Sequence, residues 1–345
     1  MVTDKASNNV VALQMFSGVE SFICQIHTLQ RAIVVAIKSA TIKARKVSRV
    51  LSKCQKLAVK IRKSPKYNME LKEVCQEKDI KCLRPLAANQ TRWNSVVMSL
   101  KSLVPMKSAF DSLGDRTSEL DWTRLILDQT EWKIVEAIIT VLKMPQLITK
   151  LWEADTKPTV HLVVKELYNL ENNLLKLSKD RDSYVNNLSE ILLREVKRRF
   201  RCFGAEEKVP AVAHYLDPAT HGIVLEEVDL MESTKANIKV LAEKYVEQAD
   251  QSSGQHSTSE VIDEVMSESE TETEELNPLQ SLLKRRRIEK ETSNHEARSS
   301  SSVTEEMKRY EEMPVSDVDI LEFWRSHNQQ FPLLSQVARE VSLNS

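Results

Sequence analysis

Arg45-Lys46-Val47-Ser48-Arg49-Val50-Leu51-Ser52-Lys53-Cys54-Gln55-Lys56-Leu57-Ala58-Val59-Lys60-Ile61-Arg62-Lys63 is the stretch from which the fold class follows. Val47, Val50, Leu51, Cys54, Leu57, Ala58 and Ile61 recur at steps of three and four, which is one face of a helix. Arg45, Arg49, Lys53, Lys56, Lys60 and Lys63 fall largely on the other side, and Ser64-Pro65 ends the run because a residue before proline is driven from helical geometry. The segment reads as a basic amphipathic helix. The same periodicity returns on both sides of it. It resumes around Glu70–Gln76, again at Trp93–Leu103 with Asn89 and Thr91 as caps, and over Asp121–Leu151 with a bend at Pro145. Two further helices are expected on Val160–Leu177 and Tyr184–Phe200, as antiparallel neighbours in a helical array. Only 5 Gly and 10 Pro interrupt 345 residues, which favours long helices over a turn-rich sheet protein. The predicted class is mainly α.

An apolar fraction of 41% is adequate for a packed core. Ala32–Ile37 is too short to cross a bilayer, and Met1–Asn9 lacks the regions of a signal peptide, so no membrane partner and no export are expected. The five cysteines, Cys24, Cys54, Cys75, Cys82 and Cys202, are odd in number and scattered, which suits reduced thiols. Net charge is -1, yet no acidic residue lies between Glu20 and Glu70, and the balance is restored mainly by the acidic run Glu260–Glu275. A basic front and an acidic rear fit a chain of which one part meets a polyanion. After Ala249 the composition shifts to Ser, Thr, Glu and Gln, so residues 250–312 are predicted to be a disordered linker. Within it, Lys284-Arg285-Arg286-Arg287 has the form of a nuclear import signal, and the acidic run is either a phosphorylated or a solubilising tail. Order returns at 313–345 with a cluster of aromatic and branched residues.

Four blocks in order give the chain a likeness to a known family. Val2-Thr3-Asp4-Lys5-Ala6-Ser7-Asn8-Asn9 resembles the segment that delivers the second catalytic aspartate of the hAT transposase superfamily. Cys24-Gln25-Ile26-His27-Thr28-Leu29-Gln30 is similar to its Cys-x-x-His-x-Leu block, and Thr91-Arg92-Trp93-Asn94-Ser95 to its Thr-Arg-Trp-Asn-Ser block. Ile320-Leu321-Glu322-Phe323-Trp324 and Phe331-Pro332-Leu333-Leu334-Ser335 resemble the start of its C-terminal dimerisation region. A fifth stretch, His214-Tyr215-Leu216-Asp217-Pro218, looks like the Leu-Asp-Pro before the last family segment, although Ala219-Thr220-His221 replaces the usual Arg-Phe-Lys.

The resemblance implies an RNase H-like core interrupted by a helical insertion. The expected division is a core remnant over 1–40, a helical insertion-like domain over 41–249, the linker over 250–312 and a partial dimerisation region over 313–345. It also implies a reaction that needs two aspartates and a glutamate, because two cations about 4 Å apart must activate the attacking oxygen and stabilise the leaving one. Asp4 matches the second aspartate. The first would lie upstream of Met1 and the glutamate beyond Ser345, so Asp4 is expected to be an inactive remnant and the chain not an enzyme. No BED-type zinc finger is expected either, and no cofactor. Two other readings stand beside this one: a fragment of a longer active transposase, and a relic without a role.

Each singled-out side chain has a functional and a structural reading. Trp93 either stacks on a base flipped from DNA, as the family's tryptophan does, or is core, and Arg92 beside it holds a phosphate or a carboxylate. Cys24 and His27 have half the spacing of a zinc site but no visible second pair, so packing and hydrogen bonding are expected of them. The cationic face of the Arg45–Lys63 helix either contacts phosphates or is a solvated surface. Leu321, Phe323, Trp324, Phe331, Pro332, Leu333 and Leu334 need cover and are expected to dock on the helical domain or on a partner, and the resemblance implies a dimer interface there. The functional expectation is an inactive nuclear protein that self-associates and for which DNA is the candidate partner.

Overall fold

A computed structural model describes residues 2–3, 22–38, 42–87, 93–116, 120–153, 157–200, 208–252 and 302–343. The fold is helical. The exception among these residues is a two-residue parallel pairing, with Val2 opposite Phe22 and Thr3 opposite Ile23. Sequence pattern alone leaves Met1–Thr3 without a sheet neighbour; Phe22–Ile23, just before the first helix, is that neighbour.

Eight helices build the first layer of packing: α1 (Gln25–Lys38), α2 (Ile42–Lys63), α3 (Pro65–Glu77), α4 (Trp93–Leu103), α5 (Lys107–Asp115), α6 (Gln129–Trp152), α7 (Leu162–Leu177) and α8 (Ser183–Arg199). Their boundaries follow local chemistry. Pro65 stops α2 and opens α3 at the first-turn position, where its missing N–H costs nothing. Asp128 and Glu131 form a reciprocal capping box at the start of α6, with bonds of 2.8 and 3.0 Å. Asp182 caps α8 by accepting from the N–H groups of Tyr184 and Val185. Pro145 lies inside α6 without ending it, and the segment expected to be helical over Asp121–Leu151 is a turn region up to the Asp128 cap, followed by Gln129–Trp152.

The apolar stripe read from α2 is buried as expected, with Val47, Val50, Cys54, Leu57, Ala58 and Ile61 all nearly inaccessible. It joins one core with α1 and α3–α8, in which Phe110 stacks on Trp132 at 6.2 Å and Trp122 donates its indole N–H to Glu70 at 2.6 Å. The division expected at residue 40 is not a division of the packing. Leu29, Ala32 and Ile33 of α1 sit in the same core as α2–α8.

A second core was not foreseen. It unites α9 (Val209–Tyr215), α10 (Ile223–Glu227) and α11 (Met231–Ser252) with α12 (Val303–Glu312), α13 (Ile320–Ser326) and α14 (Pro332–Leu343), and reaches the first layer through Val160 and Val164 near the start of α7. Gly222, at φ +66°, lets the chain turn between α9 and α10: a Cβ there would stand 2.9 Å from Leu225 Cδ1 and 3.0 Å from the Tyr215 backbone. Helix α12 corrects the linker boundary expected at 312. Its abundant Glu, Lys and Arg masked an apolar stripe of Met307 and Tyr310, both buried. The remainder of that linker, 253–301, lies outside the described residues. Among the described residues no helix is long and apolar enough to cross a membrane.

Candidate nucleic-acid interface and dimerisation region

The helical array brings together two blocks that the sequence keeps far apart. His27, exposed on the first turn of α1, and Trp93, Asn94 and Ser95, at the start of α4, line one cavity of about 550 Å³, closed on another side by Thr149 and Glu153 of the α6 end. Asn94 Oδ1 accepts from Gln146 Nε2 at 2.6 Å, and Gln146 Oε1 accepts from Lys101 at 2.5 Å, so α4 is tied to α6 by a polar chain behind the wall. Cys24 precedes α1 and is half-buried; its carbonyl oxygen accepts from both the N–H and the hydroxyl of Thr28 at 3.1 Å. Thr91 and Arg92 lie outside the described residues, as does Asp4.

Trp93 belongs to the core and to the cavity wall at once, being 5% exposed. Its removal empties a site that α4 cannot collapse into, so Trp93→Ala is expected to cost about 3–5 kcal/mol. A thermal midpoint equal to that of the parent protein would show that the indole contributes no packing.

The cationic face of α2 is largely open. Arg45, Arg49, Lys56, Lys60 and Lys63 are exposed, and Lys46 joins them. Lys60 also lies 5.0 Å from the Tyr67 ring centroid. Lys53 departs from the group. It turns toward α6 and pairs with Glu131 at 2.6 Å, with both side chains mostly covered, so it ties α2 to the α6 N-terminus instead of facing solvent. A second cationic group, which the reading along the chain passed over, forms where α1 packs on α8. Arg199 lies close enough to Arg31 and Arg198 for their charges to act on it, and burial with this repulsion lowers its guanidinium below the ordinary value. Glu195 holds Arg198 at 2.7 Å and Arg199 at 3.2 Å, and these bonds, Arg198 first, keep its carboxyl below the ordinary range. A helical wheel of α8 alone shows its basic end, but not the approach of Arg31 from another helix.

Among the described residues no three His, Cys, Asp or Glu side chains converge as a metal site. Among the described residues Cys24 and His27 have no second pair beside them. Cys75 and Cys82 do meet, and burial together with the neighbouring Cys82 pushes the Cys75 thiol up to about 12.

The C-terminal aromatics dock on the helical domain of their own chain. Phe323, Trp324, Phe331 and Leu334 are buried inside the protomer, Leu321 and Leu333 are half-buried, and Pro332 alone of the seven is exposed. Trp324 donates its indole N–H to the carbonyl of Leu216 at 2.8 Å, and its ring lies among Tyr310, Phe323 and Phe331. Glu306 is fully buried and its carboxylate accepts from the N–H groups of Leu333 and Leu334 at 3.1 and 2.9 Å. A helix begins with N–H groups that lack intrahelical partners, and here a carboxylate from α12 supplies them for α14. The fifth motif, His214–Pro218, is the receiving surface for this segment. The Lys284–Arg287 run lies outside the described residues.

Residues 23–141 match the family model of the ZBED1 RNase-like helical domain. Residues 301–342 match that of the hAT family C-terminal dimerisation region. A search of characterised proteins gave no match. Two family regions in the order of the hAT architecture, each coinciding with a folded part of the chain, identify it as a hAT transposase-derived, ZBED-like protein.

Proposed function

We propose that this chain works as a nuclear binding protein, self-associating through its hAT region and holding nucleic acid on the cationic face of α2, without cleaving strands itself. The exposed row Arg49, Lys56 and Lys63, in a stretch free of acidic residues, is the observation that carries the nucleic-acid part. Cations so spaced release condensed counterions from a phosphate backbone whatever its sequence. The cavity at Trp93 supports a contact with an unstacked base, since Trp93, His27, Asn94 and Ser95 line it. Self-association rests on the family region at 301–342, and the nuclear address on Lys284–Arg287. A segment of a longer, active transposase is the competing reading.

Fluorescence anisotropy with a short labelled duplex tests the proposal. In the Arg49→Ala/Lys56→Ala/Lys63→Ala protein, binding should weaken for every duplex sequence, and the slope of log K against log salt should fall by about 0.9 for each phosphate that is no longer neutralised. An unchanged slope would remove the α2 face as the interface. In the same samples with magnesium or manganese the duplex should stay intact. Nicking that disappears in Asp4→Asn would favour the transposase reading.

A further inference from the structure

The dimerisation region has a peculiarity in its own protomer: it has almost nothing left to dimerise with. Of the large apolar side chains in 302–343, Val318 alone is strongly exposed among the described residues, at 43%. Phe323, Trp324, Phe331 and Leu334 are committed to the second core. A specific interface buries on the order of 1,600 Å² around an apolar centre, and one strongly exposed large apolar side chain does not make such a centre.

The faces that are apolar enough are the ones already buried. On one side stands the inner face of α12–α14; on the other stand α9–α11 with Leu216, Ile223, Val224 and Ile238. Neither face is stable in water without the other. The polar ties across the join are as specific as the packing. Trp324 binds the Leu216 carbonyl, Glu311 accepts from Tyr215 at 2.8 Å and pairs with Lys235 at 2.8 Å, Tyr245 donates to Glu340 at 2.6 Å, and Lys157 pairs with Asp319 at 3.1 Å. The two sides are joined through residues 253–301, which at up to about 3.3–3.6 Å per residue can reach a neighbouring copy.

We infer that the chain dimerises by exchange, each copy seating its 302–343 segment on α9–α11 of the other. This rests on the self-association proposed above and names its interface. Every contact of the closed protomer is preserved in the exchanged pair, so no new apolar surface is required. Exchange of an identical element is a low-cost route to a two-fold dimer. Its balance against the closed form is set by chain concentration, because the contacts themselves are equal.

Carbodiimide coupling of the full-length, unmodified protein tests the exchange, since it joins an amine to a carboxylate already in an ion pair. The dimer and monomer fractions from size-exclusion chromatography are treated separately, run on a denaturing gel and digested for mass spectrometry. In the monomer fraction the Lys235–Glu311 and Lys157–Asp319 links should appear in the single-chain band. In the dimer fraction both links should move to the two-chain band and be absent from the single-chain band. A dimer whose single-chain band still contains them overturns the exchange and leaves self-association standing. A protein that is monomeric at every concentration overturns both.

Discussion

Trp324→Ala is expected to undock the C-terminal segment while the first helical core stays folded. The substitution removes the largest apolar side chain of the second core's C-terminal half and orphans the Leu216 carbonyl that its indole N–H serves at 2.8 Å. Tyr310, Phe323 and Phe331, with ring centroids 5.1, 5.2 and 6.3 Å away, each lose the indole they pack on. A buried Trp truncated to Ala costs about 3–5 kcal/mol, a large share of the stability of a core this size. The loss should be local because the two cores share little beyond α7, whose Val164 belongs to the second and whose Leu167, Leu170 and Leu174 belong to the first. Amide hydrogen exchange should thus quicken across α9–α14 and remain slow in α2, α6 and α8. Uniform acceleration over both sets would mean that the cores unfold as one unit. Trp324→Phe, which keeps most of the packing and loses only the N–H, should fall between the parent and the alanine protein.

The helices on Val47–Ile61, Glu70–Gln76, Trp93–Leu103, Val160–Leu177 and Tyr184–Phe200 were legible from periodicity because each buries a continuous stripe, whereas the helix over Lys107–Asp115 was not read from the pattern, nor was the packing of α8 on the distant α1. Val47 to Ile61 announces its own partner face. The second core was not legible, and the reason is distance. Its halves, around Tyr215 and around Trp324, are separated by the acid-rich stretch from Glu260, and neither half alone displays a complete apolar stripe. The aromatics of Ile320–Ala338 do need cover, as their density implies; what covers them was visible only as the Leu-Asp-Pro resemblance at Leu216–Pro218. Helix α12 escaped notice for a different reason. Composition averages over all sides of a helix, and a two-residue stripe of Met307 and Tyr310 is outvoted by six charged neighbours, among them Glu306, which is itself buried.

The same limits hold at the candidate site. Charge counting identified the open face of α2, but it could not separate Lys53, which is structural, from Arg49, Lys56 and Lys63, because all four lie on the polar side of one helical wheel. Glu131 lies on α6, and only folding brings it within 2.6 Å of Lys53. The meeting of His27 with Trp93 was implied by neither block's spacing. It follows from the packing of α1 and α4 against α6, which sets both motifs at the same end of the array.

Mild acid is expected to weaken this protein through a buried histidine. His214 is completely buried between Asp217 and Thr220. Its Nδ1 lies 3.4 Å from the Thr220 hydroxyl, its Nε2 has no partner, and Asp217, Lys165 and His161 are the charged or titratable groups that act on it. Burial pushes the imidazole down from its ordinary 6.5 to about 4, against the opposing pull of Asp217. An unfolded chain therefore accepts a proton at a pH where the folded chain refuses it. The stability owed to the neutral ring is complete above pH 6.5 and is lost as pH falls toward 4, at about 1.4 kcal/mol per pH unit and roughly 3 kcal/mol over the window. His161, lowered chiefly by burial, adds in the same direction. Glu171, which burial pushes up, opposes them. Asp319, held low by Lys157 and the Leu321 and Glu322 N–H groups despite its burial, gives way only in stronger acid. Urea titrations at steps from pH 7.5 to 4.5 should show the decline, and the His214→Gln protein should show a much flatter one even if it starts from a lower value. An equal slope in both proteins would assign the acid sensitivity elsewhere. Because His214 lies in α9, part of the surface that receives α12–α14, the second core should loosen first, and acid should release the C-terminal segment while α2, α6 and α8 remain protected.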